Sequence, residues 1–337
     1  MPSVRGFLDR INPWHEEKPE APPPPPITVR TAILILAAYA LLYFLPFYLS
    51  SLTRPSPTLS RDAPSVISSR VRSVLLSCFV CCLTTALILT HFGAKPSDVL
   101  HLTGLYPLAP LSSLWGLGLT ALLFLGPLFN SLVVERSYAL WLSFPPRPLV
   151  EVWTEWTTWR NFVAGPVTEE ILFRSASVPL MLLARASIRE TIFLSPVIFG
   201  LAHFHHFYEF RLTNPGVPFV AALARSVFQL AFTTVFGAYA TFIYIRTGSL
   251  LAVCAVHTFC NTMGLPRLWG RVKRVKAVKG GSGKDDDDYE VEEKGSLGWS
   301  VAYYVLLVAG AVGFYKNVFA WTESGNALIP GSAFTTA

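Results

Sequence analysis

The sequence has few charged residues. Only 14% of its 337 residues are charged, whereas soluble domains usually carry about 25%. Hydrophobic residues make up 52% of the chain, and the mean hydropathy is +0.45. A soluble protein of this length could not bury so many apolar side chains, so the composition excludes an ordinary soluble domain and predicts a polytopic membrane protein.

Several familiar motifs are also missing. Five cysteines are present, all in apolar stretches and without the paired spacing of a zinc site: Cys78, Cys81, Cys82, Cys254 and Cys260. We interpret them as small buried side chains. Residues 1–30 are charged and proline-rich, which does not fit a secretory signal peptide. We therefore expect the first apolar run to stay in the protein as a membrane helix.

The net charge of +6 does not indicate nucleic-acid binding. The lysines and arginines lie between apolar blocks, a pattern typical of segments that face an anionic lipid surface. We expect membrane lipid to surround the protein and no nucleic acid to bind it.

Apolar runs long enough to cross a membrane divide the rest of the chain. Clear candidates cover 31–52, 73–92, 113–134 and 298–319. Four further helices are predicted in the denser region, at about 160–184, 189–207, 217–246 and 249–264, with breaks at 187–189, 214–216 and 247–248. The predicted fold class is all-α, a polytopic membrane helical bundle with about eight transmembrane helices.

The same pattern divides the chain into five parts. We predict a disordered proline-rich arm at 1–30 and a transmembrane core at 31–265, with the polar motifs in 159–265. A basic and then acidic flexible loop follows at 266–297, because such a stretch has nothing to bury. The last transmembrane helix is predicted at 298–319 and a loose tail at 320–337.

The first polar group lies between Gly165 and Arg174 in an apolar region. Gly165-Pro166 predicts a helix start, because proline suits the first helical position. Glu170 and Arg174 are four residues apart and can pair on a helix. Glu169 points about 100° away from that pair, so we predict that Glu170 and Arg174 are structural and that Glu169 is free for chemistry. Ionisable residues are costly inside a membrane, which favours a functional role.

The second group is a histidine cluster. Phe199 and His203 are four residues apart, so the phenyl ring is expected beside the imidazole. His205 and His206 follow toward the polar end of the helix and are secondary candidates. Three histidines near a glutamate also resemble a zinc ligand set. Metal binding is therefore an alternative, although no His-Glu-x-x-His motif is present.

The third group is the pair His257 and Asn261, on one face of an apolar helix. Two hydrogen-bond donors on one buried face suit the stabilisation of an oxyanion. A hydrogen bond between membrane helices is the simpler interpretation of this pair taken alone.

Together the three groups resemble the CAAX protease and bacteriocin-processing family of intramembrane enzymes, whose motifs are EExxxR, FxxxH and HxxxN. They stand here as Glu169-Glu170 with Arg174, Phe199 with His203, and His257 with Asn261, in the family's order. The added His205 and His206 look like its CAAX prenyl protease 2 branch. The resemblance covers roughly residues 110–265.

The resemblance implies an intramembrane endopeptidase that removes the C-terminal tripeptide from prenylated CAAX proteins, such as Ras-like small GTPases. Glu169 would activate the water with help from His203, while His257 and Asn261 would stabilise the oxyanion. Glu170, Arg174 and Phe199 would support the site. The branch acts in the endoplasmic reticulum membrane, with its site open to the cytosol. We expect no cofactor and no metal ion.

Other functions are compatible with the same residues. A relative of the family could act on a substrate without a prenyl group. A zinc-dependent intramembrane protease would lose activity with a chelator, and a cysteine protease would use Cys254 or Cys260, which flank His257. A transporter or scaffold would use the buried charges as a relay and would have no proteolysis to lose.

Overall fold

Helices dominate the part of the chain that the computed structural model describes, residues 24–56, 59–278 and 289–334. The α-helices are α1 (Val29–Phe44), α2 (Pro46–Leu49), α3 (Pro64–His91), α4 (Pro96–Leu102), α5 (Pro110–Leu123), α6 (Leu125–Phe129), α7 (Tyr138–Trp141), α8 (Arg147–Thr154), α9 (Trp156–Trp159), α10 (Gly165–Glu170), α11 (Val178–Leu183), α12 (Ser195–Ala202), α13 (His205–Thr213), α14 (Phe219–Thr247), α15 (Leu250–Met263) and α16 (Leu297–Trp321). The π-helical segments are π1 (Asn130–Val134), π2 (Arg160–Ala164), π3 (Ile171–Ala176) and π4 (Glu190–Leu194), and a 3₁₀ turn covers Gly331–Phe334.

The all-α membrane bundle is confirmed, but the count of eight spans is not. Four helices are long and apolar enough to cross a membrane, at Val29–Leu49, Pro64–His91, Phe219–Thr247 and Leu297–Trp321. A fifth candidate joins α5 to the segment Leu125–Val134, with a bend of 82° between them. The remaining predicted spans are shorter or broken by π turns. They are therefore less continuous than the apolar pattern of the sequence predicts.

The motif region shows where that difference arises. The predicted helix at 160–184 is a chain of short α and π segments from α9 to α11. The predicted helix at 189–207 ends at Ala202, and α13 begins at His205 after a turn. A break lies at or next to each predicted position: 184–187 for the predicted 187–189, 214–218 for 214–216, and 248–249 for 247–248.

Proline opens many helices, as at Pro46, Pro64, Pro96 and Pro110. The missing N–H of proline costs nothing in a first turn. An α segment does begin at Gly165-Pro166, as predicted, but it continues a stretch that is already helical from Trp156 onward. The π2 segment just before Pro166 shifts the hydrogen-bond ladder by one residue, which accommodates the missing donor.

The segments π3 and α11 lie in the middle of the bundle. Leu172, Leu180 and Met181 are fully buried, and they belong to the same apolar cluster as Leu36 of α1 and Cys81 of α3. Apolar burial of this extent, on the order of 2 kcal/mol per large side chain, holds the polar groups of the region at defined positions.

Parts of the predicted flexible loop and of the predicted loose tail have regular structure or packing contacts among the described residues. Within 266–297, β1 (Lys273–Val278) and β2 (Tyr289–Lys294) form an antiparallel ladder that places the basic strand opposite the acidic one. In the tail, Leu328 and Ile329 are buried and the Leu328 N–H donates to the Ile245 carbonyl oxygen. Residues 1–23 of the predicted arm and the acidic run 285–288 lie outside the described residues.

Close packing of α12 on α14 depends on glycine. A Cβ atom on Gly237 would lie 2.8 Å from the Cβ of Pro196 and 3.1 Å from the ring of Phe199. Gly200 of α12 is equally confined, because a Cβ there would collide with the hydroxyl of Thr234. These glycines bring Phe199 and the following His203 against the centre of the bundle.

We expect Gly237→Ala to destabilise the protein by about 1 to 3 kcal/mol, because an overpacked core must shift its backbone. Thermal unfolding in detergent measures this. Gly118→Ala in α5 is the matched control, since its Cβ would meet the Trp321 ring at an ordinary 3.6 Å and alanine improves helix propensity. Equal melting temperatures for Gly237→Ala and wild type would contradict the packing argument.

Candidate active site

A buried charge cluster joins α10, π3 and α15. The Oε1 atom of Glu170 accepts from Nη1 of Arg174 at 3.0 Å and lies 2.6 Å from Nδ1 of His257. The side chains of Glu170, Arg174 and His257 are 0%, 1% and 7% exposed. The predicted pairing of Glu170 with Arg174 is confirmed, and its third member comes from a helix more than 80 residues away in the sequence.

Arg174 also connects the cluster to α12 and α14. Its Nη2 donates to the Gly237 carbonyl oxygen at 3.2 Å, and its guanidinium lies 4.7 Å from the centre of the Phe199 ring. A cation over an aromatic face is favourable, more so when water is excluded. Phe199 in turn packs edge-on against His203 at 4.7 Å between ring centres, as the sequence predicts.

Glu169 turns away from this cluster and lies between two imidazoles. Its Oε2 atom is 4.0 Å from Nε2 of His203 and 3.8 Å from Nε2 of His257. Its side chain is 22% exposed, in contrast to the buried Glu170. The two adjacent carboxylates therefore have different surroundings, as their spacing on a helix predicts.

Hydrogen bonds of the two rings determine which nitrogens carry protons. Nδ1 of His203 lies 2.9 Å from the Phe199 carbonyl oxygen, which can only accept, so Nδ1 is the donor. In the neutral ring Nε2 then presents a lone pair toward Glu169. Nδ1 of His257 likewise donates to the Glu170 carboxylate, whose Oε1 also accepts from Arg174.

Asn261 lies at the rim of the same site. Its Nδ2 donates to the Asn161 carbonyl oxygen at 3.0 Å, and Thr258, one turn earlier, donates to the Phe162 carbonyl oxygen at 2.8 Å. Both acceptors belong to π2, whose wider turn displaces carbonyls from regular helical hydrogen bonds. Side chains of α15 thus hold the π segment in place, and the second N–H of the Asn261 amide is left for a ligand.

A cavity of about 200 Å³ opens beside Glu169. Five of the predicted residues line it: Glu169, His203, His205, His206 and Asn261. Glu170 and Arg174 lie within the bundle and orient His257, which reaches Glu169 from the buried side. The structure therefore brings all three sequence motifs to one place.

His205 and His206 face other partners than Glu169. Nδ1 of His205 lies 2.6 Å from the Ala202 carbonyl oxygen, and the ring stacks on Phe44. Nδ1 of His206 lies 2.9 Å from Oε2 of Glu209. We interpret both as part of the cavity wall, and neither shares a hydrogen bond with the catalytic candidates in the described residues.

Among the described residues, His205, His206 and Glu209 form the group whose possible metal-ligand atoms come within 4.8 Å of one another. Glu209, however, lies 2.7 Å from Arg70 and 3.6 Å from Arg61. Burial raises the pKa of Glu209, but the hydrogen bond from His206 and the charge of Arg70 outweigh it and lower that pKa to about 2. Two guanidiniums repel a divalent cation there, so the group favours a salt bridge over a metal centre.

Sequence reasoning missed a tyrosine and three arginines of the cavity wall, among other residues. Tyr43 of α1 lines it and shares a hydrogen bond of 3.0 Å with the Thr168 hydroxyl. Arg61, Arg70 and Arg160 line it as well. Arg61 and Arg70 are among the basic residues between apolar blocks, and the one local signal for Arg160 is its position shortly before the first motif.

Comparisons with known proteins find related sequences for most of the chain. Residues 151–263 match the family model described as Type II CAAX prenyl endopeptidase Rce1-like. The chain is 34% identical over 287 residues to a probable CAAX prenyl protease 2 of Schizosaccharomyces pombe, covering 84% of this chain and 91% of the relative. It is 34% identical over 271 residues to the CAAX prenyl protease 2 of Arabidopsis thaliana (73% and 84%) and 36% over 231 residues to that of Homo sapiens (65% and 68%). No solved structure matches the chain.

We expect Arg174→Met to destabilise the protein by about 3 to 5 kcal/mol, because it leaves the Glu170 carboxylate buried without its cation. The double variant Glu170→Gln with Arg174→Met removes both charges and should recover part of that loss. Thermal unfolding in detergent measures both. Equal destabilisation of the single and double variants would show that the two charges are not coupled.

Proposed function

This chain belongs to the CAAX prenyl protease 2 family, and from that premise we propose that it removes the C-terminal tripeptide of prenylated CAAX proteins with a water molecule activated by Glu169. Membership makes it a multi-pass membrane protease of the CAAX-processing type. The observation that supports the glutamate mechanism is the position of Glu169 Oε2, 4.0 and 3.8 Å from the Nε2 atoms of His203 and His257 at the edge of a cavity.

Glu169 and His203 are placed to share one water molecule. Their facing atoms are 4.0 Å apart, too far for a direct hydrogen bond. Ionised Glu169 and neutral His203 both offer lone pairs, so a water between them donates to both and turns its own lone pair outward. As the water attacks the scissile carbonyl carbon, its proton passes to Glu169, which then delivers a proton to the leaving amine nitrogen.

His257 and Asn261 supply the donors for the oxyanion that forms in this step. Nε2 of His257 donates only when the ring carries both protons, and the Glu170 carboxylate 2.6 Å from Nδ1 stabilises that imidazolium. Asn261 contributes the N–H of its amide that Asn161 does not use. Donors of this kind typically account for a factor of about 100 to 1,000 in rate each.

The prenyl group explains why such a site lies in a membrane protein. A lipid chain partitions into hydrocarbon and holds the peptide at the interface. Ras-like small GTPases are the proposed substrate class. The chain after α15 is basic, with Arg267 and Arg271 exposed, which favours a cytosolic location for the end of α15 that carries Asn261. We accordingly propose an endoplasmic reticulum protein whose site faces the cytosol.

We expect Glu169→Gln to lower cleavage of a farnesylated CAAX peptide by about 100- to 10,000-fold, because the amide cannot accept the proton of the water. Release of the tripeptide by purified protein measures this. Glu151→Gln, an exposed glutamate of α8, is the matched control. A chelator should leave wild-type cleavage unchanged. Loss of activity with the chelator would support the zinc alternative, and a fully active Glu169→Gln would refute the proposal.

Replacement of all five cysteines by serine separates the glutamate mechanism from a thiol mechanism. The five are unpaired, and Cys78 donates to the Thr168 carbonyl oxygen, so we expect a loss of stability of about 1 kcal/mol per buried site. The turnover of the folded fraction should stay within about threefold of wild type. Abolished turnover in a folded protein would assign the reaction to a cysteine.

A further inference from the structure

Three arginines line the cavity that contains Glu169, and the reaction proposed above assigns no task to them. Arg61 precedes α3, Arg70 lies in its first turns, and Arg160 opens π2. Their side chains are 46%, 13% and 23% exposed. Separate segments of the chain thus contribute positive charge to one wall, where each charge is partly removed from water.

The acidic partners do not balance this charge. Arg70 is 2.7 Å from Glu209 and also donates to the Thr53 carbonyl oxygen, which fixes it in the wall. Arg61 lies 3.6 Å from the same Glu209. Among the residues that the structure describes, Asp62 is then the carboxylate left for Arg61 and Arg160, at 3.7 Å and 2.7 Å.

Three guanidiniums therefore face two carboxylates, and one positive charge is available. The other carboxylate of the wall, Glu169, has the imidazoles of His203 and His257 as its neighbours. A third carboxylate from a ligand would complete the charge balance of the arginines, and guanidinium with carboxylate is among the stronger hydrogen-bonded pairs.

Asp62 shows that a carboxylate fits between Arg61 and Arg160. It bridges the two guanidiniums from a loop position, and its side chain is 52% exposed. Such an exposed ion pair is worth little, about 0 to 1 kcal/mol. A carboxylate that arrives with a membrane-anchored substrate can thus share or displace it at small cost.

The spacing along the helix agrees with the length of a tripeptide. Arg160 and Glu169 belong to one nearly continuous helical stretch, from π2 to α10, so a rise of 1.5 Å per residue separates their backbones by about 13 Å. Three extended residues cover about 10 Å, and the flexible arginine side chain bridges the difference. A carboxylate held near Arg160 places the bond three residues upstream beside Glu169.

We propose that Arg61 and Arg160 bind the free C-terminal carboxylate of the substrate and thereby set the cleavage position three residues from the chain end. This inference rests on the proposed function. It adds a binding group for the substrate C-terminus, which fixes the number of residues in the released product. It explains how a protease releases a fixed tripeptide without reading a particular side chain, because the charged chain end is common to all its substrates.

The test compares two farnesylated CAAX peptides, one with a free C-terminal carboxylate and one with a carboxamide. We expect the full-length wild type to cleave the acid about 10- to 100-fold more efficiently in kcat/KM, the range of a charge-assisted hydrogen bond. Arg160→Gln and Arg61→Gln should lower kcat/KM for the acid and leave that for the amide unchanged, so the ratio approaches one. Arg54→Gln, an exposed arginine of the same loop that donates to Tyr48, should keep the wild-type ratio.

Each other outcome has a defined meaning. Equal cleavage of acid and amide by wild type overturns this inference and leaves the protease function intact, whereas no cleavage of either peptide overturns both. An equal loss on both peptides in Arg160→Gln would assign the arginine a structural role and overturn the inference. The assay is repeated in phosphatidylcholine vesicles with and without phosphatidylserine, to test whether the arginines bind a lipid headgroup instead of the substrate carboxylate. If phosphatidylserine raises the cleavage of both peptides and Arg160→Gln removes that increase, the arginines bind the lipid and the inference is overturned.

Discussion

The ion pair between Glu170 and Arg174 is the interaction on which the rest of the site depends. Both charges are almost completely buried, and a buried charge is tolerated only with its partner in place. The pair extends in three directions: to His257 on α15, to the Gly237 carbonyl oxygen on α14 and to the Phe199 ring on α12. One side-chain pair thus fixes the relative positions of the helices that carry the three motifs.

That arrangement explains why two neighbouring glutamates have different surroundings. Glu170 points into the bundle, where its charge orients His257, while Glu169 points to the cavity between two imidazoles. The Glu169 carboxylate faces the two imidazoles and the open cavity, where a water molecule can reach it. The Glu170 carboxylate is bonded to a guanidinium and to an imidazole inside the bundle.

The π-helical turns of this protein have a structural role at the candidate site. The π turns on either side of α10 change the direction of successive side chains and displace backbone carbonyls. Asn261 and Thr258 bind two of those carbonyls, so the irregularity is held by side chains and belongs to the site. Glycines at the contact of α12 with α14 provide the close approach that brings His203 to Glu169.

The sequence by itself determined the fold class and the motifs. The excess of apolar residues and the scarcity of charge predicted a helical membrane bundle, and the spacing in Glu169-Glu170-Arg174 predicted which carboxylate pairs, because helix periodicity is a local property. It did not determine the number of spans, since hydropathy cannot register π turns or a bend of 82°. Only the tertiary structure decided that His257 contacts both glutamates and that Arg61, Arg70 and Arg160 converge on one cavity. These contacts join residues about 90 to 100 positions apart, and no local periodicity encodes a distance between helices.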